Sequence, residues 1–335
     1  MTKFNFNEEI TPQEWFIEGL IPKGSIVGVI AQSTSGKSTF VNAMMMYVLA
    51  GRPFLKRPTE KTDVLLIDQD SQEKGLKLRL KRLHKQISKG NDADLFFKYM
   101  GKLYFKDGSI YEAINKHPSA NLVVIDAYHK VGGTNFDFNS INSVATAFEQ
   151  LKTKCCTNNN RTVIIIHHAS EKTDQELTAD DYMTTGDFSK LAMGSSAFIE
   201  STDCYYIIAS PNKGGCLEKI FVRGISKRVM IPNEPFFVNV EQDDPETMDV
   251  TYGDLWYPKE PESVQHVKLY FDSVTHTATI NDLVKHFEGQ YTRYHFEKAL
   301  KWLEIRGLAK YTVEASNRFR WELVEQKDGE QNGIS

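Results

Sequence analysis

Along the first 240 positions, short runs of consecutive apolar residues alternate with stretches whose apolar residues recur every three or four. The runs are Ser25–Ile30, Val64–Asp68, Asn121–Asp126 and Thr162–His167. Each is bounded by glycine or polar residues, the pattern of a strand buried on both faces. Between them, Thr39–Ala50, Glu73–Lys89 and Ile141–Lys154 read as helices, the second with Leu76, Leu80, Leu83 and Ile87 on one face. Buried strands alternating with amphipathic helices predict an α/β fold, a mainly parallel sheet covered on both sides. Asp203–Ala209, Lys219–Arg223 and Phe236–Val240 predict further strands, expected to add an antiparallel edge.

The texture changes at Glu241–Glu262, where eight acidic residues and three prolines accompany a single lysine. Such a segment has little to bury and reads as a linker. Beyond it, Ser263–Ser273, Ile280–Phe287 and Thr292–Arg306 predict three helices, followed by a hairpin from 307–313 and 318–323. Three helices and a hairpin is the order of a winged helix. The expected division is 1–240, a linker 241–262, a winged-helix domain 263–325 and a polar tail 326–335.

Composition narrows the picture. The 335 residues are 41% hydrophobic and 25% charged, and 40 basic against 44 acidic residues exclude a uniformly basic coat for nucleic acid. A local basic groove is still allowed. The apolar runs are too short to cross a bilayer, and the first residues lack the apolar core of a signal peptide. Cys155, Cys156, Cys204 and Cys216 have no zinc-ligand spacing, which predicts a reduced, cytoplasmic protein.

The strongest chemical signal is Ala31-Gln-Ser33-Thr34-Ser35-Gly36-Lys37-Ser38-Thr39, a P-loop lying between a predicted strand and a predicted helix. Its backbone N–H groups and the helix N-terminus suit phosphate oxygens. Gly36 is expected to keep the backbone clear of the phosphates. Lys37 would reach the β and γ oxygens, and Ser38 would offer a hydroxyl to Mg2+. Asp126, at the carboxyl end of a central strand, is the expected partner for that Mg2+. Asp68 and Asp70 close the second strand, and either is a candidate to position an attacking water or to cap the next helix. His167 and His168 end the fourth strand, where a γ-phosphate sensor is expected, His167 being preferred.

These residues resemble the RecA-like P-loop ATPases of the RepA type, the plasmid-encoded ring helicases. The resemblance rests on Trp15-Phe-Ile-Glu-Gly-Leu-Ile-Pro-Lys-Gly ahead of the P-loop, Asp68-Gln-Asp-Ser, Val123-Val-Ile-Asp126-Ala, and Ile166-His167-His168-Ala-Ser followed by Gly194-Ser-Ser-Ala. It covers about two-thirds of the chain. It implies ATP and Mg2+ as cofactors, a homo-oligomeric ring of six with nucleotide between neighbours, and ATP-driven movement on single-stranded DNA in a plasmid, phage or other mobile element. It also makes Lys37 and Ser38 the phosphate and Mg2+ residues, Asp126 the Walker B acid, and His167 or His168 the sensor. Two positions depart from the family. Its catalytic Glu falls at Gln69, and its arginine finger aligns near Asp203, with Met193 where an Arg often precedes Gly-Ser-Ser. Arg228 in Ser-Lys-Arg is the substitute expected to act in trans. Without a finger, hydrolysis is expected to be slow, and the alternative is an ATP-gated DNA-binding switch.

DNA contacts are expected from Lys130 and Lys172 in the loops after the crevice strands. In the C-terminal unit, Arg293, Lys298, Lys301, Arg318 and Arg320 are expected to face duplex DNA, with a replication protein as the other candidate partner. The basic run along Glu73–Lys89 is read mainly as a solvated face.

Overall fold

A computed structural model of the chain describes residues 12–88, 90, 92–99, 101–157, 160–169, 196–210, 217–231, 235–242, 245–255, 263–305, 308–313 and 319–324. They form two compact units, one ending before the 256–262 stretch and one following it.

The first unit opens with a small hairpin, β1 (Trp15–Ile17) and β2 (Ile21–Pro22). The main elements then run β3 (Ile26–Ala31), α1 (Lys37–Ala50), β4 (Asp63–Asp68), α2 (Glu73–Ile87), β5 (Leu95–Tyr99), α3 (Ser109–Asn115), β6 (Ala120–Asp126), α4 (Ile141–Leu151) and β7 (Thr162–His168). A short helix α5 (Ala197–Ser201) precedes β8 (Cys204–Ala209), β9 (Lys219–Ser226), β10 (Phe236–Glu241) and β11 (Asp249–Leu255). The nine-stranded sheet has the order β11-β10-β9-β8-β3-β7-β6-β4-β5. β8, β3, β7, β6, β4 and β5 are parallel, and β9 to β11 form the antiparallel side that the pattern predicted.

The sheet separates two cores. Val27, Val29, Val64, Leu66, Leu122, Val124, Ile164 and Ile166 pack with α1 and with Leu76, Leu80 and Leu83 of α2. The opposite face carries an aromatic cluster in which Phe148 of α4, Phe198 of α5, Tyr128 and Phe105 meet edge to face or tilted. Successive strand side chains point to opposite faces, so strand position alone decides which core a residue joins.

The expected linker needs correction, because its central part is β11, the edge strand paired with β10. Val250 lies opposite Val240, both buried, and Tyr252 stacks on Phe236 at 5.8 Å. Tyr47 of α1 donates to Asp249 Oδ1 at 2.8 Å. Acid content hid a period-two apolar pattern that packs on one face only. β5, α3 and the β1–β2 hairpin were also not predicted.

The second unit contains α6 (Ser263–Ser273), a two-residue strand β12 (Thr277–Ala278), α7 (Ile280–His286), α8 (Arg293–Ile305), β13 (Ala309–Val313) and β14 (Phe319–Leu323). Its sheet order is β12-β14-β13, antiparallel throughout. Thr279 and Asp282 form a capping box that starts α7. Val267, Phe271, Leu283, Phe296, Leu300, Leu303 and Trp321 fill its core, so Phe296, Leu300 and Trp302 are packing residues.

Candidate nucleotide site

The P-loop joins β3 to α1 at the carboxyl end of the parallel strands. Thr34 and Gly36 both have positive φ, 63° and 87°, which folds the loop back over the first turn of α1. Ser35 Oγ donates to the Gln32 carbonyl at 2.7 Å and fixes the loop from inside, while Ser33 and Thr34 stay exposed. Gly36 answers a constraint beyond the expected one. A Cβ there would come within 2.8 Å of Leu217 and 2.9 Å of Ile220, in a conformation that L side chains rarely adopt. Lys37 and Thr39 are buried in the first turn of the helix.

Strand register assembles the acids. Asp68 lies beside Asp126, and Asp126 beside Ile166, so the three share a face, and His168, two residues on from Ile166, shares it too. That is the α1 face. Ser38 Oγ donates to Asp126 Oδ2 at 2.9 Å. Asp68 is fully buried, its Oδ1 accepting from the N–H groups of Asp70 and Ser71 at 3.0 and 2.8 Å. Just beyond the strand, the Asp70 carboxylate lies 3.3 Å from His168 Nε2, 3.6 Å from His129 Nε2 and 4.0 Å from Lys130 Nζ.

The same alternation sends two expected residues to the other side. His167 is 2% exposed and packs its ring against Tyr128 at 4.9 Å and Phe198 at 4.5 Å, in the aromatic core. The preference for His167 over His168 is therefore corrected, since His168 is the histidine that faces the acids. Gln69 is buried as well. Its amide donates to the Leu103 carbonyl at 2.9 Å and accepts from the Leu103 N–H at 3.3 Å, so it ties β4 to the segment before α3.

Electrostatics follows from this crowding. Burial first, and Asp68 second, push the Asp126 carboxyl up to about 6. Burial also lowers Lys37 from the usual lysine range, while Asp126 and Asp70 pull it back. Asp70 moves the other way, below the usual carboxylate range, chiefly through its hydrogen bond with His168. Asp126 Oδ1 and Asp68 Oδ2 are buried with no hydrogen-bond partner. Two orphaned, hard oxygens beside a serine hydroxyl are a donor set that suits Mg2+.

A family comparison supplies the identity of this arrangement. The AAA_25 model, described as an AAA domain, matches residues 2–174, a span that runs from before the P-loop through β7. The chain belongs to this family. It is a RecA-like P-loop ATPase, as the motifs led one to expect. Among solved structures, the isolated ATPase domain of another protein aligns at 14% identity with a TM-score of 0.49, covering 68% of this chain and 85% of that one. No curated protein matched the sequence significantly.

In this AAA-domain ATPase, α2 is more than a solvated face. Arg79 shares a side of the helix with Leu76, Leu80 and Leu83, and its Nη1 is buried with no hydrogen-bond partner. Burial lowers its pKa, and the charges of Asp126 and Asp68 counter that. The residue was missed because seven basic residues along one stretch look alike until the apolar face of the helix is laid down. Its signal was the spacing of three from Leu76 and four from Leu83.

Arg228 does not stand free. Its guanidinium donates to the carbonyls of Glu200, Ser201 and Thr202 at 3.1–3.3 Å, and lies 3.7 Å from Asp203 Oδ1. It follows β9, whose Ser226 pairs with Cys204 beside Val27, at the amino ends of the central strands and away from the P-loop. Carbonyls at the end of a helix attract a cation, so Arg228 caps α5. Arg293 pairs with Glu297 at 2.7 Å, and Arg320 reaches Thr277 Oγ1 at 3.5 Å. Lys172, Met193, Arg318 and the side chains of Lys298 and Lys301 lie outside the described residues. No helix among the described residues is long and apolar enough to cross a membrane.

Proposed function

We propose that this ATPase is a DNA motor, a ring-forming replicative helicase of a plasmid, phage or other mobile element that moves on single-stranded DNA. The observation that carries the reading is the shared face of Ser38, Asp126, Asp68 and His168, with Asp70 at its edge, beside Lys37. Lys37 and the loop 33–39 hold the phosphates, and Ser38 with Asp126 and Asp68 holds Mg2+. When bound, Mg2+ supplies positive charge to the β and γ oxygens as the leaving group departs. Asp70, kept ionised by His168, orients and polarises the attacking water. His168 positions Asp70 and reports on the γ-phosphate side. Arg79 adds a fixed positive charge behind the acids.

The second unit is read as a winged helix. The order helix, short strand, helix, helix and hairpin supports this, as does the capped α7 preceding α8. Lys298, Lys301, Arg293, Arg318 and Arg320 are its proposed contacts to duplex DNA, with a replication protein as the other candidate. Lys130 and Lys172 remain the proposed contacts to the single strand. Lys130 also lies near Asp70, which would let strand occupancy reach the site.

Two observations favour a second reading, an ATP-gated switch with little turnover. Gln69 is occupied by Leu103, and Arg228 is occupied by α5, so neither serves hydrolysis. ATP turnover with and without single-stranded DNA, with Lys37→Ala as the blank, separates the two. Stimulation abolished in the variant supports the motor. Tight ATP binding with turnover no faster than the blank makes the chain a switch.

A further inference from the structure

We propose that Asp70, His129 and His168 form a binding site for a transition-metal dication, with Zn2+ as its simplest occupant, at the mouth of the nucleotide crevice. The three come from different segments. Asp70 follows β4, His129 lies in the turn after β6, and His168 ends β7. One ligand atom from each lies within 4.8 Å of the others. The closest approaches are 3.3 Å from His168 Nε2 to Asp70 Oδ2 and 3.6 Å from His129 Nε2 to Asp70 Oδ1. The two imidazole rings meet edge to face, 4.8 Å apart.

Donors on a tetrahedral zinc at about 2.0–2.1 Å stand roughly 3.3 Å from one another. The observed gaps need only small side-chain rotations to close on such an ion. Strand ends hold the backbone of Asp70 and His168, so that closure does not require the sheet to move.

His129 gives the second, independent sign. Among the described residues it makes no hydrogen bond. Its Nδ1 is buried without a partner, and its Nε2 faces Asp70 beyond hydrogen-bond reach. A half-buried imidazole aimed at a carboxylate and bonded to nothing has an unmet demand. Burial keeps it neutral near pH 7, with a pKa of about 4, so a lone pair is available.

The donor types decide the ion. Two imidazoles and one carboxylate suit Zn2+ and its first-row neighbours, while Mg2+ and Ca2+ prefer all-oxygen sets. The Ser38, Asp126 and Asp68 oxygens are such a set, so the crevice would sort two classes of cation into two places. The Lys130 ammonium, 4.0 Å from Asp70, opposes a cation, but the side chain is 47% exposed and can turn into water. The remaining coordination position faces the crevice, where water or a phosphate oxygen would complete the shell.

Metal binding engages Asp70 and His168 together. If Asp70 polarises the attacking water, which rests on the function proposed above, the ion withdraws that group and Zn2+ inhibits turnover. The binding itself does not depend on that reading.

The test uses the full chain, stripped with chelator, and titrates Zn2+ against a chromophoric competitor. Co2+ is followed separately by its visible absorption. One Zn2+ per chain is expected, with intense Co2+ bands and no displacement by millimolar Mg2+. His129→Ala is expected to weaken Zn2+ at least tenfold and to erase the Co2+ bands, while binding of a fluorescent ATP analogue stays unchanged. Lys37→Ala is expected to keep the metal and lose the nucleotide. Zn2+ held equally well by His129→Ala, or displaced by Mg2+, or not held at all, overturns the site. Zn2+ bound at this site by a chain that turns over no ATP supports the site while removing the motor.

Discussion

Ser38 and Asp126, eighty-eight positions apart in sequence, are joined by a 2.9 Å hydrogen bond between the first turn of α1 and the end of β6. The bond occupies one carboxylate oxygen and leaves the other buried and bare. Removing the hydroxyl should therefore act on Mg2+ rather than on the fold. Ser38→Ala is expected to lower turnover by about 10²-fold or more, with its melting temperature within a few degrees of the parent, since one lost hydrogen bond costs about 1 kcal/mol. Steady-state ATP hydrolysis over a Mg2+ series checks this. Turnover rescued by high Mg2+ would locate the defect in the ion.

Asp126 carries a pH signature. Its carboxyl is raised from 3.8 to about 6, so the folded chain holds a proton that the unfolded chain has already released. Ionising it costs stability, absent below about pH 4 and complete above about pH 6, and a shift of two units corresponds to roughly 3 kcal/mol. Asp126→Asn removes the charge. In nucleotide-free protein it is expected to raise the melting temperature above pH 6, with the gain fading as pH falls toward 4. A gain that is the same at every pH would contradict the assignment. The same variant should lose the stabilisation that Mg2+ and ATP give.

Gln69 tempts a repair that should fail. Placing a glutamate there restores the residue type the family uses, yet the side chain faces Leu103 and not the nucleotide. Gln69→Glu would bury a carboxylate against a carbonyl oxygen, at a cost of about 2–4 kcal/mol. Denaturant unfolding should register that loss, with no gain in turnover. Asp70→Asn is expected to do the reverse, cutting turnover by about 10²-fold while leaving stability within about 1 kcal/mol.

The two adjacent histidines should separate cleanly. His167→Ala opens a hole among Tyr128, Phe198 and Phe148, and is expected to cost about 2–4 kcal/mol in unfolding free energy. His168→Ala should cost under about 1 kcal/mol but slow hydrolysis, because its ring is held only at the edge of the crevice. Equal effects of both variants on turnover would argue against the division by strand face.

Arg79 is the residue the basic run concealed. Arg79→Met keeps the bulk on α2 and removes the charge, leaving Asp126 and Asp68 less balanced. Turnover is expected to drop about tenfold or more. Titration of the Asp126 carboxyl, followed by the pH dependence of melting, should move further upward. Lys81→Met, an exposed change on the same helix, serves as the control.

How much of this was legible before the structure turns on particular residues. Apolar runs located β3, β4, β6 and β7, because strands buried on both faces leave an unbroken signature. The P-loop, Asp126 and the pair of histidines followed from where those runs end. Which histidine faces the site needed one more step, since Ile166 lies beside Asp126 and parity then selects His168. That register depends on pairing between distant segments, so local pattern could not supply it. β11 was hidden by its acids, whose charge dominates composition while Val250 and Tyr252 do the packing. Arg228 failed for a different reason. Nothing in Ser-Lys-Arg shows that three carbonyls at the end of α5 will claim it.

Gly36 has a consequence for how mutations can accumulate at the loop. Its α-carbon is closed off by Leu217 and Ile220 from the antiparallel half of the sheet, and its φ of 87° excludes an ordinary side chain even where room is made. Trimming Ile220 would relieve the first obstacle and leave the second untouched, so no single compensating change opens this position to alanine. The loop is also left without slack on that side. It cannot rise toward a ligand unless β9 yields, which couples the phosphate end of the protein mechanically to the strands that carry none of its chemistry.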